Sequence, residues 1–120
     1  MDKYQTGDCL DTTIAYVEEI TYKDDQVESK QLKTVVNPSE EYLNQENVKV
    51  RAKRTIKVQI MEVNKVGGRL VKPSYIVGVR LIDGDKVTPV FHIRCKTDEE
   101  FRERIIKEIK FYLRTSKLLS

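Results

Sequence analysis

An α+β fold, an antiparallel sheet with one face under a long C-terminal α-helix, is predicted by three features of the sequence. Residues 48–60 alternate between aliphatic and basic side chains. Turn signals at Gly67-Gly68 and Asp83-Gly84 fold the chain back twice. An amphipathic stripe of Phe101, Ile105, Ile109, Tyr112 and Leu113 recurs at helical spacing. At 120 residues the chain is expected to be a single domain, with a core large enough to need no staples.

Residues 1–11 read as a loose arm. TTIAYVEEITY (12–22) is rich in β-branched and aromatic residues, KDDQ (23–26) is a polar turn, and VESKQLKTVV (27–36) returns. An N-terminal β-hairpin is therefore expected. Asn37-Pro38 breaks the chain, and Ser39 before EEYLNQ suits the N-cap of a short helix, so 12–47 form an acidic hairpin-and-helix region.

The stretch 48–96 reads as a three-strand meander. Its first strand carries Val48, Val50, Ala52, Ile56, Val58 and Ile60 at even positions and Lys49, Arg51, Lys53 and Lys57 at odd ones. Arg54 breaks the parity, so a bulge or bend is expected near Lys53-Arg54. The next strand, 70–82, places Tyr75, Val77, Val79 and Leu81 inward. The third, 86–96, does the same with Phe91, Ile93 and Cys95. Thr97 with Glu100 forms a capping box that opens the 97–118 helix, whose acids fill the first turn and whose Lys117 lies near its end.

Charge is unevenly distributed. Residues 1–47 carry a net −7, residues 48–96 a net +9 and the remainder +1. If the helix covers the aliphatic side of the meander, parity puts Lys49, Arg51, Lys53, Lys57, Lys72, Arg80, Arg94 and Lys96 on the opposite side, with His92 among them. Glu62 falls on the core parity, which leaves that plate free of acids. Like charges within a Debye length of ~8 Å repel unless a polyanion compensates them. The phosphate backbone of nucleic acid is therefore the expected partner. A Gly-Gly finger flanked by Lys65 and Arg69 could add to the surface. A broad sheet face suits single-stranded DNA or RNA, read with little sequence preference. Stacking aromatics are scarce: Tyr4, Tyr16, Tyr22, Tyr42 and Phe111 are free of the core parity, and His92 on the basic face is a further stacking candidate. The order of meander then capped helix resembles sheet-based single-stranded-DNA-binding folds such as the Whirly type, with no residue motif to carry the likeness further.

Other classes find little support. Two lone cysteines and one histidine cannot assemble a usual zinc site, and neither GxGxxG nor GxxxxGK[ST] occurs. No catalytic residue, metal ligand or cofactor is expected. A metal-dependent nuclease would need Glu18, Glu19, Asp24 and Asp25 brought to the basic surface. No apolar run approaches ~20 residues, and MDKYQTGDCLD lacks the pattern of a signal peptide. A cytoplasmic protein without membrane contact, forming a homodimer, is expected. The alternative is an assembly protein, in which the acidic N-terminal region pairs with the basic sheet within a homo-oligomer and Leu118 and Leu119 dock on a neighbour.

Overall fold

The computed structural model describes residues 4–70 and 72–119, with side chains to 115. The elements run β1 (Cys9–Lys23), β2 (Gln26–Val36), α1 (Glu40–Leu43), β3 (Val48–Val66), β4 (Ser74–Asp83), β5 (Lys86–Val87), β6 (Phe91–Cys95) and α2 (Asp98–Leu119). They form the α+β fold anticipated: an antiparallel sheet in the order β2-β1-β3-β4-β5, with β6 also on β4, and a C-terminal helix. The chain gathers into two compact units. One comprises residues to Leu10 and from Lys57 onward, the other Asp11–Ile56.

In the Asp11–Ile56 unit, β1 and β2 pair in one register from Ile14↔Val36 to Thr21↔Ser29. Asp24 and Asp25 close the hairpin with φ of 53° and 62°. Positive φ at both central residues is the type I′ geometry that matches strand twist. Ser39 caps α1 by accepting a hydrogen bond from the Tyr42 N–H at 3.1 Å. Ala15, Val17 and Val48 are buried together, with Val35, Tyr42 and Leu43 packed on them. On β3, Arg51 bonds Glu18 while Arg54 lies over the Tyr16 ring at 5.9 Å. Glu18 and Tyr16 are two apart on β1 and share a face. Arg51 and Arg54 are three apart, so strict alternation would send them to opposite faces. Both long side chains nevertheless reach that pair of residues.

In the other unit, Val58, Ile60, Val77, Val79, Leu81, Ile93 and Cys95 are buried, as are Phe101, Ile105, Ile109 and Leu113 of α2. Each large side chain so buried is worth about 1.5–3 kcal/mol. Thr97 Oγ1 accepts from the Glu100 N–H at 3.1 Å and starts the helix as read. Half-buried Tyr112 donates to Asp83 at 2.9 Å, which ties the last turns to the β4–β5 corner. The side chains of Lys117, Leu118 and Leu119 lie outside the described residues.

Three expectations need correction. Residues 4–10 are not a loose arm: Gly7 N–H donates to the Ile60 carbonyl at 2.7 Å, Ile60 N–H donates to the Asp8 carbonyl at 2.8 Å, and the Tyr4 ring sits 5.3 Å from that of Phe101. Polar residues at the chain start hid a segment held by main-chain bonds. The third strand of the meander is two pieces, because Pro89 has no N–H to donate. Beside it Thr88 turns inward, its N–H on the Leu81 carbonyl and its hydroxyl on the Leu81 N–H. The strand expected over 70–82 starts only at Ser74, just after Pro73. Cys9 is exposed and Cys95 buried, and no disulfide joins them.

Candidate nucleic-acid interface

Register fixes which side chains share the outer face of the Lys57-onward unit. From β3 to β4 the pairs are Lys57↔Ile82 and Gln59↔Arg80; the register then shifts between Ile60 and Glu62, and Glu62↔Gly78 and Asn64↔Ile76 follow. From β4 to β6 they are Gly78↔His92 and Ile76↔Arg94. The irregularity at Met61 changes the parity of everything beyond it. Glu62, placed inward by simple alternation, therefore lies on the outer face, and Glu62 Oε1 is 2.7 Å from His92 Nε2. The acid-free plate is thus corrected: a carboxylate stands in its middle, held to one of the groups assigned to bind phosphate.

The cations of that plate are dispersed. Arg80 donates to Gln59 Oε1 at 2.6 Å, and Lys57 faces Ile82 across the ladder. Lys65 belongs to β3 opposite Tyr75 rather than to a flexible finger, since β3 runs on to Val66. Arg69 is exposed in the segment after the strand. In the other unit Lys49 and Lys53 are exposed on β3. Arg51 is taken by Glu18, through Nε at 3.0 Å and Nη2 at 2.5 Å, with Lys30 Nζ at 3.5 Å from the same carboxylate. Glu18 is 6% exposed. The Arg51 guanidinium holds its carboxyl below the usual glutamate range, more than burial raises it. An acid of the N-terminal hairpin thus neutralises a cation of the basic strand within one chain.

Four of the expected residues do come together. Lys72, Arg94 and Lys96 line an open cleft of about 570 Å³ with Ser74, Cys95, Glu100 and Arg104. A second cleft of about 270 Å³ is lined by His92, Arg94, Arg104, Lys107 and Glu108. Arg94 and Arg104 belong to both, so the two clefts adjoin. Five Lys/Arg face two glutamates across them. Glu100 engages Arg104 at 3.1 Å, an i,i+4 pair on α2. Burial pushes the Cys95 thiol up, so it lines the cleft as an uncharged group.

The reason for this gathering is local. β6 pairs only with β4 among the described residues, so Arg94 and Lys96 stand on an open edge. The chain passes from Cys95 into α2 within three residues, which brings the Glu100, Arg104, Lys107 and Glu108 flank beside that edge. Sequence reasoning missed Arg104 and Lys107 because it placed cations by strand parity alone and read the helix only for its cap and its apolar stripe. Their i,i+3/i+4 spacing beside the apolar stripe was the available signal. Among the described residues no three His, Cys, Asp or Glu side chains gather to hold a metal ion, and no helix is long and apolar enough to cross a membrane. Comparison with family models, curated proteins and solved structures gives no match for this chain.

Proposed function

We propose that the protein binds the phosphate backbone of single-stranded nucleic acid, with little sequence preference, in the groove along β6 and α2. One observation carries this reading: Arg94 and Arg104 join two clefts in which cations outnumber carboxylates five to two. From Glu100 to Glu108 the helix rises about 12 Å, the length of a few nucleotides of one strand. Neither cleft is lined by a Phe, Tyr or Trp ring, and His92 is the one stacking side chain among their lining residues, so affinity comes mainly from phosphate rather than from stacking. Compared with the sheet-wide plate, the reading is narrower: it keeps Lys72, Arg94, Lys96 and His92 and adds Arg104 and Lys107.

Fluorescence anisotropy with labelled single-stranded DNA, single-stranded RNA and duplex across a salt series tests it. Single strands should bind at micromolar concentration or tighter, with a log–log salt slope of about −2 to −3 if three or four phosphates are neutralised. Arg94→Gln with Arg104→Gln should weaken binding at least tenfold, while Lys57→Ala with Arg80→Ala changes it less than twofold. Equal binding by both double variants would reject the groove, and absence of salt-sensitive binding would reject the function.

A further inference from the structure

We infer that β2 is a homodimer interface, pairing antiparallel with β2 of a second copy about a two-fold axis at Leu32. This goes beyond the groove on β6 and α2 and does not depend on it. β2 pairs only with β1 among the described residues. Of its eleven residues, nine from Gln26 to Thr34 are exposed. Leu32 is 78% exposed, a large apolar side chain in the regular part of an open edge.

The main chain says which groups are free to bond. Asn37 N–H donates to the Thr13 carbonyl, and the register is constant from Ile14↔Val36 to Thr21↔Ser29. In an antiparallel ladder hydrogen-bonded pairs alternate with non-bonded ones. The odd residues of β2 therefore turn their N–H and C=O toward β1, and Lys30, Leu32 and Thr34 turn theirs outward. Those outward groups form a template for another strand.

Register and charge select the occupant. The ladder is regular over Ser29–Val36 and slips just beyond it, between Thr21 and Tyr22 of β1. A two-fold at Leu32 pairs Ser29 with Val35, which uses nearly all of that stretch. It sets Leu32 against Leu32, Lys30 against Thr34 and Gln31 against Lys33, with no like charges opposed. Moving the axis to Lys30 or Lys33 sets lysine against lysine, which is destabilising. Each lysine is already held on its own chain: Lys30 is 3.5 Å from Glu18 and Lys33 is 2.9 Å from Glu19. The edge thus accepts a second copy of itself in one register without stranding a charge.

Sedimentation equilibrium of the full chain from 1 to 200 µM tests this directly. A monomer–dimer equilibrium is expected, and Leu32→Lys, which opposes two lysines at the axis, should raise the dimer dissociation constant at least tenfold. Its exposed position keeps the melting temperature of the monomer unchanged. In a Cys9→Ser background, Leu32→Cys should crosslink to a dimer on mild oxidation, while Gln26→Cys does not. A wild-type monomer at 200 µM, a dimer indifferent to Leu32→Lys, or equal crosslinking at both positions would overturn the inference. So would a β2 edge that binds only a different extended peptide.

Discussion

The Glu62 carboxylate reaches His92 across Gly78, which stands between them as the ladder partner of both. A Cβ on Gly78 would meet Glu62 Cγ at 2.8 Å, closer than packed atoms tolerate. Backbone geometry does not require glycine here, since φ is not positive. A lone Gly78→Ala change would therefore stabilise slightly through the unfolded chain were it not for the crowding. We expect it instead to cost about 1–3 kcal/mol in urea unfolding, the usual range for overpacking. Adding Glu62→Ala removes the clash and should restore most of that loss. Equal stability of Gly78→Ala and wild type would mean that the Glu62 side chain swings aside freely.

Acid should weaken the hairpin unit through Glu18. Its folded-state pKa is lowered, first by the hydrogen bond from Arg51, with Lys30 adding to it. A lowered carboxylate favours folding above the unfolded value of about 4.3, and the benefit fades as pH falls through the folded pKa. Urea midpoints measured from pH 7 down to pH 2.5 should therefore drop less steeply for Glu18→Gln than for wild type. At neutral pH the variant should be the less stable of the two, because Arg51 loses its charged partner. Parallel curves would show that the pair contributes nothing.

Tyr42 sets the opposite limit. Its hydroxyl donates to Glu19, and that hydrogen bond raises the phenol to about 12, with burial and then the negative charge of Glu19 adding to the effect. Glu19 in turn is lowered, first by that bond and then by Lys33. A raised group stabilises fully below its unfolded value, about 10 for tyrosine, and the benefit is lost as pH climbs through the folded value. The Glu19–Tyr42 bond therefore operates from about pH 5 to pH 10. Tyr42→Phe should cost about 1 kcal/mol in that window, and the difference from wild type should shrink above pH 10. Ultraviolet titration should show a tyrosinate step near 12 that the variant lacks.

How much of this was legible in the sequence depends on the range of the interaction. The α2 cap at Thr97, the Ser39 cap and the inward set Val77, Val79 and Ile93 are local or periodic signals, and they stand as read. The hairpin turn at Asp24-Asp25 is equally local. Glu62 was misplaced because a single irregularity at Met61 inverts the parity of the rest of β3, and no pattern in the intervening residues marks it. The split of the third strand was foreseeable from Pro89. The pairing of Arg51 with Glu18 spans 33 residues and two strands, and no one-dimensional rule links those positions. The clefts depend on how α2 lies beside β6, a tertiary fact that charge counting along the chain could not supply.

The N-terminal segment gives the last prediction. Gly7 has φ of 96°, and no atom would lie within 4 Å of an added Cβ. Replacement by alanine is therefore opposed by backbone conformation alone and not by crowding. The left-handed region costs a non-glycine residue about 1–2 kcal/mol. Gly7 N–H bonds the Ile60 carbonyl, and Ile60 N–H bonds the Asp8 carbonyl, so the strain falls on the contact that holds the segment to β3. Gly7→Ala should raise the hydrogen-exchange rate of the Ile60 amide by about five- to thirtyfold, which corresponds to that energy. The Val79 amide, deep in the sheet, should change only as far as global stability does. A segment that hung free would leave the Ile60 rate untouched by the substitution, because no bond would depend on the conformation of residue 7.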